Sequence, residues 1–328
     1  MGFIENRPMF YAMTMTMTQD DDRPDVPDLV VSRAVLPFHL PDLGVRGRLV
    51  RLGPLADALL SRRPMAPEVA ALTGKAMALV ASLAAMMKFE GSFSLQTKGD
   101  GPVSMLLADC TDKGALRGYA RVAEGAPADL AGLSDAELLG QGYLAFTLDP
   151  RGEMDRHQGI VTLAGPDLAA MAEHYFATSE QMHCLVRLAC ARTSAGWRAA
   201  ALMLQRVAAT GGRDADRAWD EDLDEAPGLE PWREAAALAA TVTETELLDS
   251  AVTPEVVLYR LFNQTTIRVD DYRVLAYGCR CSRGRLAGIL DSFRPDELDE
   301  MTEGDSVVLT CEFCNYDFKF ARATLRRD

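Results

Sequence analysis

Four cysteines within residues 279–314, Cys279-Arg-Cys281 and Cys311-Glu-Phe-Cys314, narrow the possible folds more than any other feature of this chain. A unit of about 60 residues buries too little apolar surface to be reliably stable alone, so such units lean on a cross-link or a metal. Two close cysteine pairs, separated by residues 282–310, can converge tetrahedrally on one Zn2+ with Zn–S of about 2.3 Å. The second pair lies in VVLTCEFCNYDFKF, which reads as a knuckle hairpin between two strands. An iron–sulfur cluster uses the same ligands, generally at other spacings. Unliganded core cysteines are the plain structural alternative.

The chain carries seven cysteines, an odd number unlike a secreted disulfide framework. Cys110, Cys184 and Cys190 stand in apolar or mixed surroundings, where a thiol behaves as a small hydrophobe. The other four are chemically exposed to oxidation in a way these three are not. Zinc holds sulfur as thiolate, and the thiolate is the oxidisable form. Arg280, Arg283 and Arg285 are expected to keep the first pair electropositive. Oxidation would remove the ligands and with them metal-binding energy on the order of 10 kcal/mol. A unit folded when reduced and unfolded when oxidised is a switch.

Charge narrows the partners. With 34 Lys+Arg against 48 Asp+Glu the formal charge is −14, which argues against nucleic acid and against an anionic membrane surface, since both need clustered cations. A hydrophobic share of 48% excludes wholesale disorder. The most apolar helical stretch, 66–88, carries Glu68 and Lys75, whereas a spanning helix needs about 20 apolar residues in a row. The N-terminal stretch has no basic start followed by an apolar run, and it reaches Asp20, Asp21 and Asp22. The expectation is a cytoplasmic protein with an acidic disordered tail over 1–30.

The organisation expected is α+β. Residues 31–210 read as a core domain: a mixed, mostly antiparallel sheet with a long buried helix. Strands are expected at 44–53, 92–97, 103–108, 116–122, 143–149, 159–164, 183–190 and 197–207. Helices are expected at 54–62, at 66–88, where Val69, Leu72, Ala76, Leu79, Val80 and Leu83 recur at helical spacing, and at 166–176, opened by Pro166. An acidic loop and helical linker occupy 211–268, with helices at 232–249 and 254–263. A small C-terminal zinc-binding, redox-switch domain occupies 269–328. The four histidines form no catalytic arrangement that spacing alone reveals.

The cysteine pattern resembles the C-terminus of the redox-regulated heat-shock chaperones, the 33 kDa chaperonin family. So do Met87-Lys88-Phe89-Glu90-Gly91, Lys98-Gly99-Asp100-Gly101-Pro102, Leu116-Arg117-Gly118-Tyr119, Arg156-His157-Gln158-Gly159 and Tyr175-Phe176-x-x-Ser179-Glu180-Gln181, and the likeness runs from about 34 to 325. The resemblance implies a stress-response holdase that binds unfolding clients without ATP and has no enzymatic activity. It implies zinc on Cys279, Cys281, Cys311 and Cys314 when reduced. On oxidation, near neighbours are expected to pair, Cys279 with Cys281 and Cys311 with Cys314, with zinc release and formation of a homodimer. The absence of a Gly-x-x-x-x-Gly-Lys-Ser/Thr loop fits. Linker residues Leu238, Val242, Leu247, Leu248, Val257, Leu258, Leu261 and Phe262 would be packed in the reduced state and exposed to clients in the oxidised one.

Two other readings compete. A thiol–disulfide oxidoreductase would use Cys311-Glu-Phe-Cys314, but catalytic pairs of this kind usually open a helix, and the alternation Tyr316, Phe318, Phe320 is strand-like. A constitutive zinc-binding adaptor would use the small arginine cluster, against the acidic residues 291–305 beside it.

Overall fold

The structure, a computed structural model, describes residues 26–152, 155–207 and 229–325. The tail expected over 1–30 lies outside them up to residue 25, and so does most of the acidic stretch. The described residues fall into two units, Val26–Arg280 with Thr310–Asp317, and Cys281–Leu309 with the segment from Phe318.

The first unit opens with a hairpin of β1 (Val30–Leu40) and β2 (Val45–Arg51), in which Val35 faces Val50 and Leu40 faces Val45. Then come α1 (Pro54–Leu60) and α2 (Pro67–Ala84), each begun by a proline in the first turn, where a missing N–H costs no hydrogen bond. Next in order are β3 (Gly91–Gly99), β4 (Val103–Thr111), β5 (Ala115–Val122), α3 (Asp135–Leu139), β6 (Gly142–Pro150), β7 (His157–Thr162), α4 (Leu168–Ser179), β8 (Cys184–Thr193) and β9 (Gly196–Arg206). After residue 228 follow α5 (Glu230–Ala240), α6 (Glu244–Leu248), α7 (Pro254–Phe262), β10 (Arg268–Val269) and β11 (Arg273–Tyr277). The second unit holds α8 (Arg283–Leu290), α9 (Pro295–Glu300) and a small sheet of β12 (Thr302–Glu303), β13 (Ser306–Thr310) and β14 (Asp317–Ala321). On β14 the period-two aromatics Phe318 and Phe320 are buried, as expected of a packed strand face.

Among the described residues eleven strands form one sheet in the order β7-β6-β3-β4-β5-β11-β1-β2-β9-β8, with β10 beside β1. Within this sheet, among the described residues, β11 pairs with β5 in parallel and the other neighbouring strands pair antiparallel. The long helix α2 lies against β3, β4, β5, β8 and β9. It is long and apolar enough to span a membrane by length and composition, yet 78% of it is buried in the fold, the mark of a core helix. It ends at Ala84, short of residue 88, because Met86 N bonds Leu83 O and tightens the last turn before the chain leaves for β3.

Two expected helices are redrawn by caps. Asp167, whose carboxylate accepts from Ala170 N at 2.8 Å, starts α4 after Pro166, so the proline precedes the helix. The helix expected at 232–249 breaks in two. Thr243 Oγ1 accepts from Glu246 N at 3.2 Å while the Glu246 carboxylate accepts from Thr243 N at 3.1 Å, and this reciprocal cap starts α6.

The two halves of the sheet are covered differently. On β3 buried and half-buried residues alternate, as for a sheet with one packed face. On β9 the run Ala199–Leu204 is buried throughout, because α2 covers one side and α5 to α7 the other. There Trp232, Ala235, Val242, Leu247, Val257, Leu258 and Phe262 pack with Leu36, Phe38, Leu40, Leu49, Leu202 and Leu204. Each large side chain so buried contributes about 2 kcal/mol. Of the residues expected to be packed here, Val242, Leu247, Val257, Leu258 and Phe262 are buried and Leu238, Leu248 and Leu261 are half-buried against them, while Val256 and Tyr259 of α7 are exposed.

Candidate metal centre

Two turns bring the cysteines together. The first leaves β11 at Tyr277; Gly278 N donates to Leu116 O at 2.8 Å, fixing the backbone just before Cys279. The second joins β13 to β14. Cys311 N donates to Tyr316 O at 2.9 Å, Asn315 N donates to Cys311 O at 2.8 Å, and Asn315 takes the left-handed conformation at φ 55° that lets so tight a turn close.

Cys279 Sγ and Cys311 Sγ lie 3.6 Å apart, and the four sulfurs of Cys279, Cys281, Cys311 and Cys314 all lie within 4.8 Å of one another, each residue buried. No disulfide links any cysteine. Four sulfurs about 2.3 Å from one tetrahedral centre stand about 3.8 Å from each other, whereas a disulfide needs about 2.0 Å. The spacing fits a shared metal ion. Hydrogen bonds with the Cys279 and Cys314 thiols hold the Cys311 thiol well below its usual range, and hydrogen bonds with Cys279 and Cys311 push the Cys314 thiol up. The buried Tyr277 hydroxyl has no hydrogen-bond partner, and its pKa is raised by burial and by the Cys314, Cys279 and Cys311 charges.

Sequence did not reveal what the turns rest on. Arg280 Nη2 donates to the buried carboxylate of Asp109 on β4, which also accepts from Arg117 Nε at 3.3 Å. Arg117 in turn stacks 4.1 Å from the centre of the Phe313 ring. Glu312 accepts from Arg63 at 2.8 Å, and the Tyr119 and Phe313 rings meet edge-on at 6.2 Å. Asp109 pairs with Arg117 across β4 and β5, but no local pattern links either of them to residue 280. Arg283 donates to Lys319 O at 2.8 Å and covers the Phe320 ring.

None of Cys110, Cys184 and Cys190 joins the cluster. Burial, with Asp112 adding to it, pushes the Cys110 thiol up to about 12. Burial does the same for Cys190 and raises Cys184 well above its ordinary value.

The chain matches the family model described as Hsp33 protein over residues 34–321. The 33 kDa chaperonin of Caulobacter vibrioides is 38% identical over 302 residues, covering 88% of this chain and 95% of that protein. That of Pseudomonas aeruginosa is 36% identical over 287 residues, covering 86% and 90%. The crystal structure of the 33 kDa chaperonin (heat shock protein 33 homologue) from Thermotoga maritima superposes with a TM-score of 0.72 at 21% identity, over 89% of this chain and 96% of that one.

Proposed function

The chain belongs to the Hsp33 family, and from that premise we propose that it is an ATP-independent holdase of the cytoplasm, not an enzyme, switched on by oxidative stress. The relatives' name, 33 kDa chaperonin, supports the chaperone role. The buried four-sulfur cluster carries the redox part of the reading. In the reduced state Cys279, Cys281, Cys311 and Cys314 hold Zn2+, which cross-links the two turns. Peroxide oxidises one thiolate to a sulfenic acid, releasing hydroxide. The neighbouring thiolate then attacks that sulfur, expels a second hydroxide and closes a disulfide. Two peroxides thus close Cys279–Cys281 and Cys311–Cys314.

In functional terms 31–210 is the chaperone core, 211–268 the linker and 269–328 the switch. Loss of the cross-link loosens the switch, then the linker helices, whose apolar faces become available to unfolding clients and to a second copy in a homodimer. Neither nucleic acid nor membrane is a partner. Cys311 and Cys314 sit in a strand–turn–strand setting without a helix N-terminus to lower a thiol pKa, which speaks against an oxidoreductase.

The test measures zinc content and suppression of light scattering by a heat-denatured client, before and after peroxide. Zinc release together with gained suppression is expected. Equal suppression in both states with zinc retained would leave a constitutive zinc-binding adaptor.

A further inference from the structure

The strand that leads into Cys279 is the one that joins the two halves of the large sheet. Without β11 the order falls into β7-β6-β3-β4-β5 and β1-β2-β9-β8, each ending in an open edge. We propose that, once β11 is released, this slot between β5 and β1 receives an extended, alternately apolar segment of an unfolded polypeptide, which pairs with both edges; the proposal rests on the holdase reading above.

β11 is short and its pairing is brief. It pairs with β5 at Ala276–Ala115 and Tyr277–Leu116, where Ala276 N donates to Gly114 O and Gly278 N to Leu116 O, and with β1 at Val30–Ala276 and Val31–Leu275 before the register shifts ahead of Val35–Arg273. A cavity of ≈ 230 Å³ runs beside it, lined by Ala81, Ala84, Cys110, Gly114 and Leu275 among others. Its close approach to β5 depends on glycine: a Cβ on Gly278 would stand 2.4 Å from Leu116 N and 2.5 Å from Ala115 C, backbone atoms that no rotamer change can move. Both of its ends are tied to elements the switch would loosen. Cys279 follows two residues after Tyr277, and before it the Tyr272 hydroxyl donates to Glu255 of α7 at 2.8 Å.

The resident strand shows what the slot accepts. Leu275 and Tyr277 point inward and are buried, while Val274 is exposed. Two strands flanking a third stand about 9–10 Å apart, so the gap left is one strand wide, with unpaired N–H and C=O groups on both sides. Such edges recruit extended segments by main-chain hydrogen bonding, with alternate side chains conferring selectivity. Departure of residues 268–277 would also uncover β1 at Phe38 and His39, where β10 pairs.

The experiment uses the full chain with Cys110, Cys184 and Cys190 changed to Ala, and a fluorescent peptide of about nine alternating Leu and Thr residues. In a second protein, Val30→Cys and Ala276→Cys, a register pair, are bridged by a thiol-alkylating dibromobimane before oxidation. After peroxide the unbridged protein is expected to bind the peptide, and to bind its alternately N-methylated twin at least roughly tenfold more weakly, since losing two backbone bonds is worth about that much. The bridged protein is expected to release the same zinc yet bind at least roughly tenfold more weakly. Equal binding of the two peptides, undiminished binding by the bridged protein, or self-association without peptide binding each overturns the slot. Zinc retained after peroxide would overturn the redox reading instead. Gly278→Ala then decides the slot alone: it is expected to bind the peptide without oxidant, and failure to do so with β11 amides exchanging freely would overturn the proposal.

Discussion

The ring of Phe262, the last residue of α7, lies 6.0 Å from the ring of Phe38 in β1, tilted by 35°, and neither side chain is exposed. One contact thus ties the end of α7 to β1 of the large sheet. Phe262→Ala is expected to cost about 3–5 kcal/mol where the surroundings cannot collapse. Because the loss falls on the linker's seat, the reduced variant is expected to suppress client aggregation partway without peroxide. Light scattering with the metal content held at the wild-type level checks this.

Replacing any one of Cys279, Cys281, Cys311 or Cys314 with Ser removes a sulfur from the four-sulfur cluster. Zinc in purified reduced protein is expected to fall from about one per chain to a fraction of that after exposure to a chelator. Unchanged zinc in all four variants would refute the ligand set.

Cys110, Cys184 and Cys190 stand apart from that chemistry. With their thiols pushed up by burial, they are expected to resist alkylation in the native protein at neutral pH, and their joint replacement by Ala to leave peroxide activation intact. Mass spectrometry after brief iodoacetamide treatment, paired with the scattering assay, tests both halves. A folded triple variant that no longer activates would contradict them.

The same burial makes stability depend on alkaline pH. Cys110 and Cys190 move from the ordinary value of 9.0 to about 12 in the folded chain. Above pH 9 the unfolded state has lost these protons while the folded state keeps them, so stability is fully present below 9 and declines as pH rises toward 12. Each thiol contributes a slope of up to about 1.4 kcal/mol per pH unit. Denaturation midpoints at pH 8, 9.5 and 10.5 are expected to fall more steeply for the wild type than for Cys110→Ala with Cys190→Ala.

The cysteine cluster was legible in the sequence because its chemistry is local: pairs one and two residues apart leave few alternatives. The inward Phe93 and Leu95 of β3 and the turn after it were legible for a similar reason, a period of two ending at Gly99-Asp100-Gly101. β1 was not, because Pro37 reads as a strand breaker. In the fold Pro37 O accepts from Asp270 N, so the edge where its missing N–H would point is the irregular one beside β10, and no regular ladder bond is lost. The place of β11 was hidden for another reason. Nothing in Arg273-Val-Leu-Ala-Tyr277 names Val30 or Ala115 as its partners, and pairing across such separations is decided by the whole core. Asp109 was likewise silent until β4 and β5 placed it under residue 280.

β11 is also the last strand of the large sheet in chain order, and synthesis proceeds from the N-terminus. A nascent chain that has reached residue 267 carries β1 to β9 and all three linker helices but neither β10 nor β11. Until residue 277 emerges from the ribosome, β5 and β1 have no strand between them, and the partner that closes them is more than 150 residues from either. Every molecule therefore passes through an open-sheet stage on its way to the closed form. Ribosome-bound chains extended by a spacer long enough to fill the exit tunnel, one ending its own sequence at 267 and one at 300, would differ in how readily they capture an extended peptide, with the shorter one capturing more.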